Sequence, residues 1–195
     1  MPERTRSTPF PANTMPDNPT RNAVRAFVLS AILVAPVYGG QTAGQYLDDT
    51  TLNARTKAAL VGDKGVSALD IDVEVYNRHV QLSGFVASAA EKTAALDAAG
   101  RVDGTRLVLD AIVVLPDGRS MGEAVDDTTL HAKLKTELAR VENFLDLIAT
   151  NTEVRNGHVI LAGFVDHADT ISAAENVVSA IKGVKQVYNF LVLKP

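Results

Sequence analysis

From residue 46 to 116 the chain passes through five stretches of distinct hydrophobic periodicity, and from 125 to 195 it passes through the same five again. Leu52, Thr56 and Leu60, four apart, predict one face of an amphipathic helix, and Leu130, Leu134 and Leu138 repeat it. Ile71, Val73 and Val75 alternate with Asp72 and Glu74, the period of a half-buried strand; Thr150, Thr152 and Val154 give a weaker, still β-prone version. Asn77-Arg78 and Asn156-Gly157 then predict tight hairpin turns, because these residues tolerate positive φ. The next strand carries Val80 and Leu82, or Val159 and Leu161. It ends in Ser-Gly-Phe-Val or Ala-Gly-Phe-Val, where the glycine marks a bulge or a close backbone approach. A second helix is predicted over about 88–101 and about 168–182, alanine-rich in the first half and striped by Ile171, Ala174, Val178 and Ile181 in the second. Gly104 and Gly183 close these helices, and last strands follow over 107–115 and 187–193.

The order is α-β-β-α-β, used twice. Asp48-Asp49-Thr50-Thr51-Leu52 returns 78 residues later as Asp126-Asp127-Thr128-Thr129-Leu130. Glu74-Val75, Asn77, His79-Val80, Leu82 and Gly84-Phe85-Val86 return 79 residues later, so one residue is inserted between the first helix and first strand. The fold class expected is α+β: two tandem αββαβ domains, 46–116 and 125–195, each a three-stranded mixed sheet with two helices on one face. A right-handed crossover makes the second and third strands parallel. The Pro- and Gly-bearing segment 117–124 reads as a linker. The aspartates and threonines ahead of each first helix are expected to cap its free amides and favour its positive end. Units of about 70 residues have small cores, so packing of one domain on the other is expected.

Residues 1–25 are polar and proline-bearing, with Arg21 and Arg25 flanking an apolar run from Ala26 to Ala35. That pattern predicts a secretory signal over 1–39 with a disordered N-terminal extension, cleaved after Gly39; Met15 is an alternative start. The run falls short of the ~20 residues a bilayer span needs, although an uncleaved inner-membrane anchor is the alternative. Net charge is −4 for the chain and −6 after removal of 1–39, which offers no basic footprint for nucleic acid. There is no cysteine, hence no disulfide, thiolate metal site or lipidated N-terminus.

Little in the sequence carries chemistry. His79, His131, His158 and His167 show no zinc spacing, and no phosphate loop, nucleophile elbow or His-Glu-x-x-His occurs, so no catalytic residue, metal or cofactor is expected. His79 and His158 stand beside the hairpin turns and read as solvated. Phe85 and Phe164 read as core residues, with a client-docking patch on an open sheet face as the alternative.

The ordered set of Asp-Asp helix start, V-x-V, Asn-containing turn, H-V-x-L-x-G-F-V, alanine-rich helix, glycine and closing Val187-Tyr188-Asn189-Phe190-Leu191-Val192 resembles the BON domain. The first closing strand is looser, with Asp110 in place of the asparagine. Found twice behind a signal, the set is similar to the OsmY/DolP family of bacterial envelope proteins. The resemblance implies a non-enzymatic periplasmic protein serving envelope integrity and osmotic or envelope stress. It implies weak binding to an anionic phospholipid membrane surface or, alternatively, chaperone-like interaction with envelope proteins. Neither a nucleic acid nor a small-molecule substrate is implied. Lipoprotein members carry a lipidated cysteine that this chain lacks, which favours a soluble form. Lipid contact in the family is attributed to a helix of the second domain, which points here to His131, Lys133, Lys135 and Arg140. Each basic residue near an anionic surface contributes ~1 kcal/mol, so such binding is expected to be weak and salt-sensitive.

Overall fold

A computed structural model describes residues 41–116 and 121–195, the side chains of 121–125, 144 and 148 excepted. The expected export signal lies outside the described residues, as does linker segment 117–120. The first domain runs α1 (Ala43–Gly62), a 3₁₀ turn (Ala68–Asp70), β1 (Ile71–Tyr76), β2 (His79–Val86), α2 (Ala89–Gly100) and β3 (Leu107–Val114). The second runs α3 (Met121–Leu138), α4 (Phe144–Ile148), β4 (Asn151–Arg155), β5 (His158–Val165), α5 (Ala168–Ser179) and β6 (Gln186–Leu193). Each sheet has the order first-second-third strand, antiparallel then parallel. This is the expected αββαβ fold, twice.

Two elements differ from expectation. Helix α3 begins at Met121, inside the stretch read as linker. Short α4 was not foreseen; it replaces the 3₁₀ turn of the first domain and starts from Asn143 in the left-handed region (φ 61°). Asparagine adopts that conformation more readily than other non-glycine residues.

The helices cover one face of each sheet. In the first domain Leu52, Leu60, Ile71, Val73, Val80, Leu82, Val86 and Ile112 close on Ala95, Ala98 and Ala99, whose small side chains bring α2 close to the strands. In the second, Leu130, Leu134, Leu138, Val159, Leu161, Val165, Ala174 and Val178 form the matching core.

The other sheet faces pack on each other. Phe85, Ala111, Val113, Ile160 and Ala162 form a third buried cluster, with Leu115, Tyr188 and Phe190 at its margin. The contact is roughly reciprocal. Phe85 lies edge-on to Tyr188 with centroids 6.5 Å apart, and the Arg155 guanidinium carbon sits 5.5 Å from its ring. Phe164, at the equivalent place, packs on Tyr76 at 5.7 Å, and Lys194 Nζ lies 5.3 Å from that Tyr76 ring. Tyr76 and Arg155 are themselves equivalent positions. Phe85 and Phe164 are thus buried, as expected. They serve the seam between domains, however, and the open sheet face that the alternative, client-docking reading needed is covered.

Candidate functional site

The aspartates before Leu52 and Leu130 are not helix caps. The cap of α1 is Thr42, whose hydroxyl accepts from Gln45 N while the Gln45 side chain accepts from Thr42 N, a capping box. Asp49 lies about 1.7 turns inside the helix, buried, and reaches the hairpin turn. Its carboxylate accepts from Asn77 N (2.6 Å), Arg78 N (2.8 Å) and Gln41 Nε2 (2.6 Å). Asp127 does the same for Asn156 N (2.7 Å) and Gly157 N (3.0 Å). Both turns hold two consecutive residues at positive φ, so their amides point one way and form a concave donor pair suited to an anion. Asn53 and His131 are a second equivalent pair. Asn53 Nδ2 donates to the Val73 carbonyl (2.7 Å) and His131 Nε2–H to the Thr152 carbonyl (3.1 Å), each tying first helix to first strand.

This geometry sorts the four residues singled out for lipid contact. His131 is half-buried and engaged with β4. Arg140 lies past the end of α3 and pairs with Glu137 at 2.7 Å. Lys133 and Lys135 are exposed, but two residues along a helix is about 200°, so they flank α3 on opposite sides. Lys135 borders a groove of about 420 Å³ with His131, Leu138, Leu147 and Thr152. Lys133 borders another of about 440 Å³ with Asp126, Asp127, Lys182 and Lys185, beside the hairpin turn. Sequence reasoning missed Lys182 and Lys185; they come to this groove because the loop between α5 and β6 passes alongside α3, with Gly183 against Leu130. The first domain has a smaller groove in the same place, with Arg55 where Lys133 stands and Asp103 where Lys182 stands.

His79 and His158 are half-buried, not solvated. His79 Nδ1–H donates to the Asn77 carbonyl (3.0 Å), and His158 stacks on Tyr188 at 20° with centroids 6.0 Å apart. Among the described residues no three His, Cys, Asp or Glu side chains are grouped to hold a metal.

His167 has a distinct partner. Buried Asp146 of α4 accepts from His167 Nδ1 (2.8 Å), His167 N (3.1 Å) and Thr170 Oγ1 (3.3 Å), and so caps α5, whose own N-cap side chain makes no capping bond. The bond to Asp146 raises the imidazole pKa above its ordinary value against some desolvation. Burial pushes the Asp146 carboxyl up, but the bonds and charge of His167 outweigh it, leaving it below the usual range. A raised histidine stabilises the fold below its unfolded pKa of ~6.5 and loses that contribution as pH rises through the folded value. We expect the His167 ring protons to titrate above 6.5 by NMR, and Asp146→Asn to bring the midpoint down to the ordinary range. An unchanged midpoint would mean the pair is not formed.

Among the described residues no helix is long and apolar enough to cross a membrane. The BON domain family model matches residues 48–116 and 126–195. The chain is 33% identical over 153 residues to osmotically-inducible protein Y of Escherichia coli strain K12, covering 77% of this chain and 75% of that protein. It is 31% identical over 85 residues to outer membrane lipoprotein DolP of Haemophilus influenzae strain Rd, 44% of each chain. A solved structure of CdsD, a structural protein of the type III secretion system of Chlamydia trachomatis (C-terminal domain), overlays with a TM-score of 0.31 at 16% identity, covering 75% of this chain and 67% of that one. With the repeated αββαβ fold and a family match spanning both repeats, the chain belongs to the BON domain family, as an OsmY-like protein with two BON domains in tandem.

Proposed function

We propose that this is a non-enzymatic protein of the bacterial cell envelope that supports envelope integrity under osmotic stress by binding anionic phospholipid surfaces through its second domain. The relatives named for osmotic induction and for the outer membrane support the setting. The observation that carries the binding is the Lys133, Lys182 and Lys185 groove. Three exposed ammonium groups border it, none in an ion pair among the described residues. Asp127, the buried acid there, is already committed to turn amides. The first-domain groove sets Arg55 and Arg78 against Asp48 and Asp103, while the second sets three lysines against Asp126 and Asp127, which makes the first domain the poorer surface. The site is narrower than the four residues first expected: Lys133 stays in it, Lys135 lies on the opposite flank as a lesser contributor, and His131 and Arg140 have structural partners. A soluble periplasmic location, behind a cleaved export signal, fits the reading. The alternative, chaperone-like reading loses the sheet face it relied on, which is buried in the seam.

Co-sedimentation with phosphatidylglycerol vesicles, against phosphatidylcholine vesicles, tests this at low and moderate salt. Binding is expected only to the anionic vesicles and to weaken with salt. Lys133→Glu with Lys182→Glu should cut it about tenfold or more, at ~1 kcal/mol per basic residue. Equal binding to neutral vesicles, or none to either, overturns the proposal.

A further inference from the structure

Gln81 is buried in the seam, on the face of β2 that meets the second domain. Its Nε2 donates to the Phe190 carbonyl of β6 at 2.7 Å. A carbonyl only accepts, so this bond fixes which way the amide points, and Gln81 Oε1 is left buried with no donor among the described residues. A buried acceptor without a partner is costly and is seldom left so. Directly opposite Gln81 across the β1–β2 pair stands Glu74, on the same sheet face. Opposed side chains on one face start ~5 Å apart, within reach of each other.

A carboxylate cannot help Gln81 Oε1, because both groups are acceptors; a carboxylic acid can, through its O–H. We propose that Glu74 and Gln81 form a proton-operated joint between the two BON domains. With its proton, Glu74 donates to Gln81 Oε1 and completes the chain Glu74–Gln81–Phe190; without it, a negative charge faces an unpaired carbonyl and the seam loosens.

The surroundings favour the protonated form. Burial raises the Glu74 pKa to about 7, the charge of Asp72 adds to this, and Lys57 of α1 opposes it. The other charged and titratable groups at this seam are engaged elsewhere: His79 Nδ1–H donates to the Asn77 carbonyl and His158 stacks on Tyr188. Asp72 accepts from Asn151 (2.8 Å), and Arg155 pairs with Asp70 (2.8 Å) and lies 3.8 Å from Glu153. Lys194 lies over Tyr76 and pairs with Asp166. Glu74 itself makes no ion pair among the described residues, and the charge of Lys57, which favours the ionised form, is outweighed by burial and Asp72. The switch therefore lies near neutrality: closed in mildly acidic medium, looser above it. Loosening uncovers Phe85, Ala111, Ile160 and Ala162, apolar groups buried when it is closed.

The test uses the full chain. Carbon-detected NMR should place the Glu74 carboxyl midpoint near 7. Hydrogen-exchange protection at β2 and β5 should fall about tenfold between pH 6 and 8.5, the effect of one pKa unit of differential binding. Glu74→Gln, neutral and able to donate from its amide, should keep that protection flat. A Glu74 midpoint in the ordinary carboxylate range, or a Glu74→Gln protein that follows the wild-type profile, overturns the proposal. The NMR midpoint decides even if the variant does not fold. Because the pKa of His167 is also raised, the Asp146→Asn protein serves as a control and should keep the seam's pH response.

Discussion

Gly84→Ala should lower the unfolding free energy by about 4 kcal/mol, at the large end of single-residue effects. Gly84 has φ +146°, which L-residues rarely adopt, and a Cβ there would fall well inside contact distance of the Asp70 backbone carbonyl oxygen. That oxygen cannot retreat: Asp70 N is bonded to the Ser67 carbonyl at 2.9 Å in the turn that starts β1. The equivalent Gly163 has φ +137°, but a Cβ there meets Thr150 at 2.8 Å from Cγ2, 2.9 Å from Cβ and 3.0 Å from Cα, a milder overlap than the one with the Asp70 oxygen. Gly163→Ala should therefore cost less, about 2 kcal/mol. Urea denaturation of the two variants decides it. Equal losses would mean that strain in φ, not the collision with Asp70, sets the cost.

Asp49→Ala should cost about 3 kcal/mol, and Asp127→Ala a comparable amount. Hydrogen bonds to a charged group contribute roughly 1.5–3 kcal/mol each, and removing the acceptor leaves donors in a buried place unsatisfied. Asp49 holds three such donors, two of them the amides of a turn with both residues at positive φ. The first sign should be faster hydrogen exchange at Asn77 and Arg78, or at Asn156 and Gly157. Asp→Asn keeps one acceptor oxygen and should recover part of the loss. A change below about 0.5 kcal/mol, typical of surface substitutions, would refute the role.

The repeated element order, hairpins and cores were legible because they rest on local signals. Helical spacing by four at Leu52, Thr56 and Leu60 and alternation at Ile71, Val73 and Val75 state which residues share a face. The aspartates misled because Asp and Thr are cap residues wherever they stand, while the turn that Asp49 holds lies 28 residues away in sequence. The true start is also written there, as Thr42-x-x-Gln45. The seam was harder. Periodicity says that Asp72, Glu74, Gln81 and Ser83 face away from the helices, but not that another sheet covers them. One signal was present: Val159-Ile160-Leu161-Ala162 is apolar without interruption, the mark of a strand buried on both sides. The lysine groove could be read only in part. Helix geometry separates Lys133 from Lys135, but bringing Lys182 and Lys185 to Lys133 required the packed fold.

The seam also sets a waiting time at birth. Chains grow from the N-terminus at ~5–20 residues per second, and the second half of this seam is encoded about 79 residues after the first. For several seconds, then, the nascent first domain presents Phe85, Ala111 and Val113 with their lid not yet made. Every molecule begins as a half-clasp, sticky on one side, and finishes by folding its own duplicate onto itself.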